Sequence, residues 1–419
     1  MFWRATIQAP RGARLQKSNY EQWHLQPIST AMSMNQFDVA IIGAGPAGSS
    51  TAIALARRGY AVALLDKERF PREKLCGDFV NPINLSILRA LGVEQEVLAA
   101  DHERVMAFRI TTSAGAEAEV PLPSKSGQAV FGLGLRRAIF DHILLRKAES
   151  ENATVLQGST IRTLKRDSQG WFFRVARLEG FEELRAKVLV GADGRNSWVA
   201  HRLGLSGSAA TQGRSVGFQF RLRVPNGVDG RVEIHLFPGG YAGLIGLGGD
   251  AINLCLAVDK RKLSHHRSVE FLLESCLPQN PHLKEILRRS ACEGEARSTY
   301  PVYFPPRRSF DNGVLLVGDA ARVNEPVTGE GIYFALKSGQ LAAEIVDRAL
   351  RRGDFSAAQL GAYEQECRRA FRLRRGLNRL IRFLMYRPAL LEPLVRLSAT
   401  KRRLLESMIR AICLPELAP

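Results

Sequence analysis

Residues 37–48 read Phe-Asp-Val-Ala-Ile-Ile-Gly-Ala-Gly-Pro-Ala-Gly, and the fold is decided there. Residues 37–42 form a short apolar run rich in β-branched side chains, which predicts a buried strand. Gly43, Gly45 and Gly48 follow at G-x-G-x-x-G spacing, and the alanine-rich residues 49–58 predict a helix. A second apolar run, residues 61–65, ends at Asp66, completing a strand–turn–helix–strand unit. A diphosphate needs backbone N–H groups at close range. Gly43 allows the tight turn, Gly45 the close approach, and Gly48 the packing of helix on strand, while the helix N-terminus faces the phosphates. Asp66 stands where a ribose hydroxyl needs an acceptor. The plainer reading is an ordinary glycine-rich turn, but strand, helix and acid together in order point to a dinucleotide.

Outward from this unit, residues 81–100 and 136–150 read as helices. Residues 188–190 are a buried strand running into Gly191-Ala192-Asp193-Gly194, and residues 314–317 another, running into Gly318-Asp319. Short apolar strands separated by helices predict a parallel sheet covered on both faces. Residues 214–258 behave differently. Val216, Phe218, Phe220, Leu222 and Val224 alternate with polar residues, as do Val232, Ile234 and Leu236, then Ile252, Leu254 and Leu256. That period predicts an antiparallel sheet with one covered face; His235 reads as a polar residue on the exposed one, the alternative being a base. The expected architecture is α/β: a cofactor domain from 35–100, 130–200 and 301–350, interleaved with a substrate domain from 101–129 and 201–300. Residues 351–419 form a basic helical region.

The turn alone does not separate a nicotinamide from a flavin; the later motifs do. Asp319 follows a strand and offers an acceptor to a ribityl hydroxyl. The run Glu325-Pro326-Val327-Thr328-Gly329-Glu330-Gly331-Ile332 opens a helix whose N–H groups and dipole suit the negative pyrimidine side of a reduced flavin. The bland alternative is a Pro/Gly loop before an ordinary helix.

The 419 residues carry 59 Lys+Arg against 41 Asp+Glu, a net charge of +18. Residues 351–419 hold 15 basic and six acidic side chains, half of that excess. Such a field suits anionic partners, but no nucleic-acid-binding motif accompanies it. The charge and two apolar stripes (Leu377, Leu380, Ile381, Leu384; Leu404, Leu405, Met408, Ile409, Ile412) read as helices packed on the core, with the surplus arginines available to an anionic membrane surface. Six scattered cysteines without metal-ligand spacing read as reduced thiols in a cytoplasmic protein, and the terminal charge adds the expectation of a peripheral place at the inner face of the membrane. Residues 1–34 lack an apolar signal core. They read as an extension upstream of the real start at Met32 or Met34, or as a short basic targeting tail.

Taken together, the glycine turn, Lys74-Leu75-Cys76-Gly77-Asp78, Arg137-Ala138-Ile139-Phe140-Asp141, residues 191–199 and residues 317–332 resemble, in order, the glutathione-reductase-like flavoproteins. The pattern is most similar to the geranylgeranyl reductase family, a relative of p-hydroxybenzoate hydroxylase and the flavin halogenases, over about residues 36–345. The resemblance implies FAD between a Rossmann domain and an antiparallel substrate sheet. It places Gly43, Gly45, Pro46, Ala47, Gly48, Asp66 and Lys67 at the adenosine end. Lys74, Cys76, Gly77, Arg137, Asp193, Gly318 and Asp319 fall along the middle, and Pro326, Gly329, Glu330, Gly331 and Ile332 at the flavin. It further implies NADH or NADPH as a transient electron donor and a hydrophobic small-molecule substrate. Cys76 and Tyr241 are the catalytic candidates. Two family motifs are missing: Tyr-x-Trp-x-Phe-Pro is replaced by Tyr241-Ala242-Gly243-Leu244-Ile245-Gly246, and no halogenase Trp-x-Trp pair exists. The expected activity is reduction of a double bond in an isoprenoid- or lipid-like substrate. The alternatives are hydroxylation of an aromatic, quinone-like or polyketide substrate, and non-catalytic escort of prenylated partners.

Overall fold

The computed structural model describes residues 35–125, 128–207, 215–263, 271–400 and 402–414; the reading of residues 1–34 lies outside them. The strand Asn35–Ile42 pairs in parallel with Val62–Asp66 on one side and Gly180–Gly191 on the other, and Thr154–Gln157 extends the sheet past Val62–Asp66. Gly180–Gly191 is long enough for two partners on its far edge. Gly170–Arg177 runs antiparallel to its first part, and Val314–Leu316 runs parallel to its end. The side chains of Val39, Ile41, Leu64, Val188 and Leu315 pack against the helices Pro46–Ala56, Arg137–Ser150 and Gly331–Arg352. Alternate residues Ala40, Ala63, Leu65 and Leu189 meet Trp171, Phe173, Val199 and Ala200 on the other face. Burial on both faces is why these strands read as continuous apolar runs.

A seven-stranded sheet stands beside it, in the order Ala291–Thr299, Ser215–Arg223, Ala251–Asp259, Gly240–Gly246, Arg231–Phe237, Ala107–Thr111, Glu117–Pro121. Only Arg231–Phe237 and Ala107–Thr111 pair in parallel; the other neighbours are antiparallel. Gln219, Cys255, Gly243 and Ile234 are in register on one face; Phe220, Leu254, Leu244 and Glu233 are in register on the other. Leu272, Leu277, Leu283 and Ile286 lie over that second face, so the expectation of a single covered face is corrected. His235 is corrected with it. It is fully buried, sharing hydrogen bonds with Thr111 Oγ1 (2.7 Å) and Glu233 Oε2 (3.0 Å), and burial depresses its pKa. Asn280 donates to the same Thr111 oxygen (2.9 Å) and caps the helix Pro281–Arg289, which ties the cover to the sheet.

The helices Ala362–Met385, Pro388–Thr400 and Arg403–Cys413 lie over the first face. Ile381, Met385, Leu391, Ile409 and Ile412 join Phe108, Val232 and Tyr241 in one apolar cluster. The predicted stripes are inward except for Leu380, which is 53% exposed; the side chain of Leu404 lies outside the described residues. Among the described residues no helix is long and apolar enough to cross a membrane.

Candidate functional site

The glycines of the turn do different work. Gly43 has φ +105°, and a β-carbon there would stand 2.4 Å from the Ala192 carbonyl oxygen. A β-carbon on Gly48 would stand 1.8 Å from the carbonyl oxygen of Gly43 itself. Gly45 is different: its β-carbon would meet only Arg72 Nη2, at 3.6 Å, and its open side faces a cavity of about 470 Å³. Gly45 also caps the helix Pro46–Ala56 without a side-chain bond, and no acid sits in the first turn. Orphan N–H groups and a missing side chain therefore converge on one place, the arrangement an anion needs. Gly43 and Gly48 shape the turn from outside the cavity lining, while Gly45, Pro46, Ala47 and Lys67 line it. Asp66 is not on the lining; its oxygens accept from Ala44 N (2.8 Å) and Glu68 N (3.0 Å) at the rim of the turn.

Along the middle of the cavity stand Lys74, Cys76, Gly77, Arg137, Asp193 and Asp319. Arg137 makes two 2.7 Å bonds to buried Asp141, and Arg72 adds a third at 3.0 Å. Burial opposes the charge on Arg137, but Asp141 raises its pKa well above the usual value. Burial depresses the pKa of Lys74, and the like charges of Arg137 and Arg72 depress it further. Asp141 is thus one carboxylate shared by two arginines beside a third cation. The surplus positive charge suits a diphosphate. Asp193 accepts from Val199 N through Oδ2 (3.0 Å), while its Oδ1 is buried without a partner. An orphaned carboxylate oxygen, a surplus of cations and an open glycine are what the middle of FAD would satisfy, so the residues present fit that cofactor.

At the far end Pro326, Gly329, Gly331 and Ile332 line the cavity. Gly329 has φ +63°, and a β-carbon there would strike the Phe79 ring at 2.5 Å. Gly331 opens the 22-residue helix Gly331–Arg352, and a β-carbon there would meet nothing within 4 Å. Two more expected residues join Gly43, Gly48 and Asp66 off the cavity lining. Gly318 donates its N–H to Ser338 Oγ (2.9 Å) behind the wall. Glu330 is buried and paired with Arg374 Nη1 at 2.6 Å, where it fastens the loop to the helix Ala362–Met385.

The substrate sheet supplies the opposite wall. The Cys76 carbonyl accepts from Asn253 Nδ2 (2.8 Å), Gln219 Nε2 (2.9 Å) and Cys255 Sγ (3.1 Å), so the cofactor loop is pinned to this sheet. Asp78 in the same loop is buried and ion-paired with Arg221; burial pushes its carboxyl up to about 6 against the pull of Arg221. Burial also raises the Cys76 thiol, which keeps it from acting as a thiolate. Tyr241 lines the cavity and donates a 2.5 Å bond to Glu325 Oε1. Burial raises both groups; Arg382 Nε lies 3.4 Å from the other Glu325 oxygen, and Asn378 brackets the Glu325 backbone. Beyond Phe108, Ile234 and Val327, which border both spaces, lies a second cavity of about 110 Å³ walled by Ile381, Leu384, Leu391, Val395 and Ile409.

Sequence reasoning missed Arg72, Asp141, Asp78, Glu325 and Asn378. Signals existed for three: Asp78 closes the quoted run from Lys74, Asp141 sits four residues after Arg137 in a second quoted motif, and Glu325 immediately precedes Pro326 in a third. Nothing local marked Asn378.

The FAD binding domain family matches residues 36–373. A digeranylgeranylglycerophospholipid reductase of Methanosphaerula palustris is 30% identical over 346 residues, covering 80% of this chain and 82% of the relative. The menaquinone reductase of Mycobacterium tuberculosis is 28% identical, covering 74% of this chain and 76% of its own. Among solved structures, the flavin-dependent brominase Bmp2 superposes with a TM-score of 0.76 at 20% identity, covering 90% of this chain and 94% of that one. A flavoprotein/dehydrogenase from Cytophaga hutchinsonii gives 0.76 at 17% identity, covering 89% and 92%; these two likenesses speak for the fold. The cavity and the matches converge: the chain is an FAD-dependent oxidoreductase and belongs to the FAD binding domain family, in its geranylgeranyl reductase group.

Proposed function

We propose that the chain saturates a carbon–carbon double bond of a hydrophobic isoprenoid- or lipid-like substrate, with electrons brought transiently by NADH or NADPH. One observation carries the reading: at Phe108, Ile234 and Val327 the main cavity adjoins a second cavity lined by apolar side chains apart from Arg109, Thr328 and Ser398. A polar or small substrate has no use for such an extension, whereas a prenyl chain does. The reductase names of both curated relatives support it.

When bound, FAD supplies a two-electron carrier that takes hydride from the nicotinamide and gives it to the substrate. The residues of the chain do the rest. Gly45 and the first turn of Pro46–Ala56 would hold the diphosphate, with Lys74, Arg72 and Arg137 balancing its charge. Asp193 and Asp319 would accept the ribityl hydroxyls, and the N-terminus of Gly331–Arg352 would face the pyrimidine side. Saturation needs a proton on the second carbon as well as hydride on the first. Tyr241 Oη is the donor we assign, with Glu325 returning a proton to it, since burial raises the pKa of both groups and so favours their protonated forms.

The test is turnover under argon with NADPH or NADH and an unsaturated prenyl lipid, read by mass spectrometry. The product should gain two hydrogens per reduced bond with no need of oxygen. A product carrying one added oxygen, formed only in air, would overturn the reading for hydroxylation.

A further inference from the structure

The C-terminal helices carry large apolar side chains on both faces. Leu384, Met385, Leu391 and Val395 point inward to the second cavity. On the outside Leu373, Leu380, Phe383, Leu390 and Leu397 are 45–53% exposed. Leu373 and Leu380 are two helical turns apart, as are Leu390 and Leu397, so each pair stays on one face. Single exposed leucines are ordinary, but five on neighbouring helices form a surface. Arginines run through it. Arg372 and Arg379 are exposed and, among the described residues, form no ion pair with a carboxylate. Burial and the like charges of Arg379 and Arg368 depress the pKa of Arg375. The surrounding residues 351–419 hold nine more basic than acidic side chains.

We propose that this face docks on an anionic lipid bilayer. Arg372 and Arg379 meet the headgroup phosphates, while Leu380, Phe383, Leu390 and Leu397 enter the interface. Charge complementarity selects the anionic surface, and the apolar side chains distinguish a bilayer from a nucleic acid, which would use the arginines alone. The geometry adds a route. The same helices wall the second cavity on their inner side, so an apolar molecule in the bilayer is separated from it by one layer of helix. The docking surface goes beyond the reaction assigned above, and vesicle binding requires no turnover, so either can fail without the other.

The flavin-loaded protein is sedimented with phosphatidylglycerol-rich and with pure phosphatidylcholine vesicles, across a salt series. Binding should occur on the anionic vesicles and weaken with salt. R372Q/R379Q should lower the partition coefficient about thirtyfold at low salt. L380S/F383S should lower it about tenfold at every salt concentration. An unchanged flavin-to-protein ratio shows that each variant is folded. Equal binding to neutral vesicles, no binding to either, or parental binding by both variants would overturn the proposal. So would binding to a DNA duplex that displaces the vesicles and is insensitive to L380S/F383S.

Discussion

Alanine at Gly45 should leave the protein folded and strip it of FAD, whereas alanine at Gly48, three residues on, should damage the fold itself. Gly45 has φ −73° and ψ −175°, extended backbone open to any residue, and its new methyl group would touch only the end of Arg72 at 3.6 Å. The direct cost to the apo-protein is the poorer helix cap, up to about 1 kcal/mol. In the complex the same methyl group occupies the line of approach of a phosphate. Losing one or two charge-assisted hydrogen bonds at about 1.5–3 kcal/mol each weakens binding by roughly tenfold to ten-thousandfold or more. Gly48 gives the opposite result. Its β-carbon would lie 1.8 Å from the backbone oxygen of Gly43, where no rotamer relieves the overlap. The turn must move, at about 1–3 kcal/mol or more in the apo-protein. Fluorescence titration of each apo-variant with FAD, beside urea denaturation without FAD, separates the two effects. Near-parental FAD affinity in G45A, or unfolding of G45A alongside G48A, would refute the assignment of the diphosphate to this turn.

D141N should cost about 3–5 kcal/mol in urea denaturation of the apo-protein, because Arg137 and Arg72 lose their shared buried carboxylate; added FAD should recover part of the loss by linkage. D78N should flatten the pH dependence of stability. Burial lifts this carboxyl from 3.8 to about 6, so its contribution is full below pH 3.8 and lost as pH rises through about 6. The span is roughly 3 kcal/mol. Denaturation of parent and variant at several pH values should show that slope in the parent alone. Y241F preserves the ring against Tyr386 but removes the proton, so kcat should fall about 10²–10⁴-fold with little change in KM. A kcat close to the parent's would remove Tyr241 from the mechanism.

The cofactor turn, the parallel strands and the glycine-rich helix start were legible because each is a local demand. A positive φ at Gly43, an orphan helix N-terminus after Gly45 and a buried strand on either side leave their mark within a dozen residues. The alternating strands were legible for the same reason, since period two is set by the pleat. Their surroundings were not. Phe220 and Glu233 lie on the same face of one sheet, so the apolar stripes of the two strands point opposite ways; pairing register, not pattern, put them there.

What the sequence determined by itself was therefore the chemistry of the cofactor end: a dinucleotide turn, then a flavin-side loop, in the order of one family. Tertiary structure decided everything that depends on a distant partner. His235 is buried because residues 272–289 fold over its face. Glu330 is fastened off the cavity lining because Arg374 reaches it. The proton-donor role proposed for Tyr241 rests on Glu325, 84 positions along the chain, closing on its hydroxyl. Backbone preference and side-chain period are written between near neighbours, whereas burial, charge pairing and cavity shape belong to groups that meet only once the chain has folded.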